Sequence, residues 1–152
     1  MSHYKPTVEQ IPVIFEKSKK YENCFIVLGI GNQFNAYNPS FFMERLLAIK
    51  QTSEEENNDN FEKSGRKCRM IFLTQPYTCD GGHWPMYGIS WMAKRQAQIA
   101  KAVFKDSPDF EVLDTFSLSS YFLKSRNGFG GSKIPGEMAN VLAQLVMQTI
   151  AV

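Results

Sequence analysis

Asp80-Gly81-Gly82-His83 puts a carboxylate three residues before an imidazole, in a turn loosened by two glycines. That spacing suits acid–base chemistry. An aspartate can orient a histidine, and the histidine can take a proton from a nucleophile. The only other histidine is His3, near the amino terminus. Any histidine chemistry in this protein is therefore expected at His83. The competing reading is an exposed loop histidine beside a turn aspartate, because Asp-Gly-Gly is also ordinary turn chemistry.

Such residues need a scaffold, and three apolar runs read as its strands. They are Cys24-Phe25-Ile26-Val27-Leu28, Met70-Ile71-Phe72-Leu73, and Phe110 to Leu113. The first two are continuously apolar rather than alternating, which marks strands covered on both faces of a parallel sheet. Helical spacing runs from Val8 to Lys19 and from Ser90 to Phe104. Asn38-Pro39 opens another helix, striped by Phe42, Leu46, Leu47 and Ile49. Pro135 opens a last one, striped by Met138, Val141, Leu142, Leu145 and Val146. This alternation predicts an α/β three-layer sandwich with a mostly parallel sheet and right-handed crossovers. The 152 residues fit a single domain over 1–152. The polar stretch over about 51–67 reads as a mobile surface loop of that domain.

Parallel sheets deliver functional residues at the carboxyl ends of their strands. After the first strand comes Gly29-Ile30-Gly31-Asn32. Gly31 would let backbone amides approach a ligand, and the Asn32 side chain could help hold an oxyanion. A plain turn, with Asn38 capping the next helix, is the alternative. The second strand leads to Asp80 and His83. The third ends at Asp114, a candidate ligand contact that could equally cap the following segment. Asn127-Gly128-Phe129-Gly130-Gly131-Ser132-Lys133 precedes the last helix, and Lys133 is a candidate anion contact there. That segment lacks the phosphate-loop spacing, and a simple flexible loop is the favoured reading of it.

Seventeen basic residues against fifteen acidic ones leave a net charge of +2, which favours no nucleic acid or membrane surface. There is no basic stripe with interleaved aromatics. No run is long enough to span a membrane. One usable histidine without a carboxylate cluster predicts no metal site, and no cofactor is expected. Cys24, Cys68 and Cys79 are an odd number without metal spacing. Cys24 reads as a core thiol, and a bridge between Cys68 and Cys79 would have to span a strand. The start at Met1 is polar, unlike a signal peptide. With a native amino terminus, these features favour an intracellular, reduced protein; an excised piece of a secreted protein would look the same.

The order of blocks resembles the PC-esterase branch of the SGNH hydrolases, especially the C-terminal domain of the NXPE family. The stretch Leu28 to Phe34, followed by Phe42 and Arg45-Leu46-Leu47-Ala48-Ile49-Lys50, is similar to the family's third block and its arginine-bearing helix. Trp91 to Phe104, then Val112-Leu113-Asp114, then a loop and terminal helix, resembles the closing β–α–β–α run. The resemblance covers most of residues 22–150 in pattern more than in identity. It implies a flavodoxin-like sheet and an ester hydrolase or acyltransferase in which serine attacks, histidine shuttles the proton, and glycine amides with an asparagine hold the oxyanion.

The departures are specific. No Gly-Asp-Ser nucleophile turn occurs, and the family's first strand and helix have no counterpart. Gly29-Ile30-Gly31-Asn32 has one position more than the family's Gly-x-Asn. Gly130-Gly131-Ser132-Lys133 stands where the catalytic Asp-x-x-His belongs, while Asp80-x-x-His83 lies one unit earlier. The expectation is a truncated or degenerate domain that binds or supports a larger assembly through an exposed sheet edge. The alternative is a serine esterase using Asp80 and His83 with a serine from another chain or from Ser90.

Overall fold

The computed structural model describes residues 5–29, 38–75, 90–124 and 136–151. Within them, three strands form one open parallel sheet in the order β1-β2-β3: β1 is Phe25–Gly29, β2 Arg69–Leu73 and β3 Phe110–Leu113. Five helices accompany them: α1 Lys5–Ser18, α2 Pro39–Ser64, α3 Ser90–Phe104, α4 Thr115–Lys124 and α5 Gly136–Ala151. The α/β class and the parallel pairing agree with expectation. The arrangement is compatible with a three-layer sandwich.

Register explains the core. Ile26 pairs with Met70, Leu28 with Phe72, and Phe110 and Val112 continue the same rows on β3. Because side chains alternate along a strand, these residues share one face. They pack with Ile11 and Phe15 of α1, Phe42, Leu46 and Ile49 of α2, and Ala100 and Phe104 of α3. The other face carries Arg69, Ile71 and Glu111. There Arg69 binds Glu111 at 3.0 Å and donates to the Thr149 carbonyl at 3.3 Å, which brings the end of α5 to that side.

The polar stretch predicted as a mobile loop is instead the second half of α2, helical through Ser64. Two physical reasons account for it. First, the stripe that buries Phe42, Leu46 and Ile49 continues through Ser53 and Asn57, so the core-facing row merely turns polar. Second, the outward residues include the good helix formers Gln51, Glu54, Glu55, Glu56, Glu62 and Lys63, and i,i+4 pairs tie the turns together, with Gln51 to Glu55 at 2.9 Å and Lys63 to Asp59 at 2.8 Å. The ends are set locally. Asn38 caps the start by accepting from the Phe41 N–H at 2.8 Å, as its position before Pro39 predicts. Gly65 adopts φ 69°, and its N–H closes on the Phe61 carbonyl at 2.7 Å.

Asn57 anchors that half of the helix to the sheet. It is fully buried, and its carboxamide holds both backbone groups of Cys68: Oδ1 accepts from the N–H at 2.8 Å and Nδ2 donates to the C=O at 3.1 Å. It thereby completes the ladder at the amino end of β2. Asn57→Leu is expected to lower stability by about 2–4 kcal/mol, since two backbone groups lose their partners. Urea unfolding at 25 °C measures this; an unchanged midpoint would show that Asn57 does not hold the strand.

Candidate functional site

The described carboxyl edge of the sheet is built by the ends of β2 and β3. The Thr74 N–H extends the ladder to the Leu113 carbonyl at 3.1 Å. The Thr74 Oγ1 accepts from the Phe116 N–H at 3.0 Å and lies 3.4 Å from Asp114 Oδ1. Thr115 Oγ1 donates back to the Thr74 carbonyl. The turn into α4 is thus tied to β2 through two threonines. Phe116 packs on Ala93 and Ala97 of α3 just behind it.

Asp114 sits at the first turn of α4 as its cap. Its Oδ1 accepts from the Ser117 N–H at 3.0 Å, and its Oδ2 accepts from the Ser117 hydroxyl at 2.6 Å. Lys101, in the last turn of α3, forms an ion pair with the same Oδ2. Burial pushes the Asp114 carboxyl up. The Lys101 ammonium and the two Ser117 donors more than offset this and hold it below its ordinary value of 3.8. A carboxylate held ionised in this way is a poor proton carrier near neutral pH. Ser117 spends its hydroxyl proton on a carboxylate, not on an imidazole. The geometry here is that of a cap and a helix–helix tie.

A depressed pKa in the folded state contributes stability above the unfolded value, and the contribution is lost as pH falls through the folded value. The stability difference between wild type and Asp114→Asn is therefore expected to be full at pH 7. It should shrink as pH drops below about 4, where the unfolded carboxylate protonates. Urea midpoints measured from pH 7 to pH 2.5 test this; a difference constant across that range would contradict it.

Gln75, one residue beyond Thr74, has only 4% of its surface exposed, and neither polar atom of its carboxamide has a hydrogen-bond partner among the described residues. Gln96 on α3 is 6% exposed, and its Oε1 also has no partner among the described residues. Buried amides are usually paired. Gln75 is a buried polar group at this edge without a partner among the described residues. Sequence reading passed over both, because a glutamine inside an apolar helix stripe or after a strand carries no motif.

Asp80, His83, Gly31, Asn32 and Lys133 lie outside the described residues, as does the side chain of Ser90. Gly29 and Leu73, the last residues of β1 and β2, are register partners. Among the described residues, no group of His, Cys, Asp or Glu is placed to hold a metal ion. No described helix is long and apolar enough to cross a membrane.

At the opposite, amino end of the sheet, Cys24 and Cys68 form a disulfide with their Cα atoms 4.6 Å apart. The core-thiol reading of Cys24 is thereby corrected, and the reading of the chain as a reduced protein loses its basis. The pairing follows from register. Phe25 pairs with Arg69, so the residues just before them are neighbours, and the Arg69 N–H donates to the Cys24 carbonyl at 3.0 Å. The signal was present in the sequence: each cysteine directly precedes a strand.

Compared with protein-family models, curated proteins and solved structures, the chain matches none.

Proposed function

We propose that this chain is an SGNH-like, PC-esterase-like domain that acts as a non-catalytic binding or structural subunit. The observation that carries this reading is the chemistry of the described carboxyl edge. Its one carboxylate among the described residues, Asp114, is committed to Lys101 and Ser117, while the buried Gln75 carboxamide has no partner among them. An edge with hydrogen-bonding groups but an occupied acid suits recognition better than proton transfer. The sequence supports it too, because no Gly-Asp-Ser turn is present to supply a nucleophile.

The sheet edge supports a partner. β1 is an edge strand among the described residues, and its Phe25 and Val27 are 37% and 39% exposed. It carries no proline or lysine to blunt strand addition. A strand from a larger assembly would pair there by backbone hydrogen bonds.

The alternative, an ester hydrolase, rests on Asp80-x-x-His83. Intact-mass analysis after incubation with a fluorophosphonate separates the two, with wild type and His83→Ala side by side. No adduct on either is expected. An adduct on wild type that disappears in His83→Ala would replace the binding reading with a serine esterase whose base is His83.

A further inference from the structure

We infer that this protein is folded and works in an oxidising compartment, with Cys24–Cys68 as a permanent crosslink of its fold. The bond lies where four elements meet. Cys24 leads into β1 and Cys68 into β2. The α2 residue Asn57 clamps both backbone groups of Cys68, and Ser18 at the end of α1 places its hydroxyl 3.6 Å from the Cys68 sulfur. That hydroxyl also donates to the Phe15 carbonyl at 2.7 Å. The strand ladder and the α2 clamp therefore hold the two Cα atoms within the roughly 4.4–6.8 Å that a disulfide requires.

The fixed backbone argues for permanence. Cys68 is 3% exposed, which closes its own sulfur to an attacking thiolate, while the half-buried Cys24 lines a groove with Ser18, Lys19 and Glu22 and is the sulfur that exchange can reach. An opened bond still leaves both cysteines held side by side by the strand ladder and the Asn57 clamp. Bonds of this kind persist where thiols are not continually reduced, and are rare where glutathione and thioredoxin keep them so. Formation requires an oxidant, and a protein disulfide of a thiol–disulfide oxidoreductase serves. A thiolate of one cysteine attacks the donor disulfide and forms a mixed disulfide. The second cysteine then displaces the donor. Two electrons and two protons leave Cys24 and Cys68, and the donor ends as two thiols.

The test uses the chain as isolated from cells that make it, denatured in iodoacetamide without reductant and mapped by peptide mass. The expected result is that nearly all molecules carry unmodified Cys24 and Cys68 in one linked peptide pair, and that both alkylate after reduction. As a second arm, the chain is directed either to the secretory lumen or to the cytosol of one host. The linked pair is expected from the lumen and not from the cytosol. Full alkylation of both cysteines in the natively isolated chain would overturn the inference. So would equal linkage from both host compartments.

Discussion

Phe104→Ala is expected to remove about 3–5 kcal/mol of stability, which is a large fraction of what a domain of this size possesses. Phe104 ends α3 and is almost completely buried. Its ring lies 4.9 Å from that of Phe72 on β2 and 4.4 Å from that of Phe110 on β3, measured between centroids. One side chain therefore joins a crossover helix to the two strands it connects. Truncation would leave a cavity between three elements, none of which can close it alone, because the strands are fixed to each other by their ladder. Urea unfolding should show the loss, and Phe104→Leu should recover much of it. A loss under about 1 kcal/mol in Phe104→Ala would mean that the rings do not carry the core there.

Opening the Cys24–Cys68 bond should destabilise by a comparable amount. The bond closes a sequence separation of 44 residues. Restricting the unfolded chain over such a loop contributes about 4 kcal/mol at 25 °C on the chain-entropy argument. The urea midpoint is expected to fall sharply when reductant is added to the denatured protein before refolding. Cys24→Ala with Cys68→Ala should reproduce the fall without reductant. An oxidised and a reduced protein with the same midpoint would show that the bond contributes nothing beyond the ladder and the Asn57 clamp.

The legible part of the fold was its hydrophobic pattern. The runs ending at Leu73 and Leu113 mark strands because they are short, apolar and rich in β-branched or aromatic residues. The Ser90 to Phe104 spacing marks a helix that the structure reproduces with the same bounds. What escaped was held by polar atoms. The second half of α2 buries Ser53 and Asn57 instead of leucines, so its inward row looks like loop chemistry until the Cys68 backbone it serves is in view. α4 was missed for a similar reason: its Ser117, Ser119 and Ser120 dilute the helical signal, while Asp114 and Thr74 fix its start from outside. Of the candidate site, Asp114 could be read from its place after a strand. Its commitment to Lys101 could not, because that partner comes from the previous helix, thirteen positions back in the chain.

The strand order has a further consequence. β1, β2 and β3 follow the chain order across the sheet, and α2 and α3, which connect them, both pack on one face. Doubly wound sheets bind ligands where the winding reverses, because two successive connections there leave for opposite faces and open a crevice between them. A strictly sequential run of three strands contains no such reversal. A strand added outside β1, with its own connection over the opposite face, would create one beside Gly29. Completing the sheet and opening a crevice at its carboxyl edge would then be the same event.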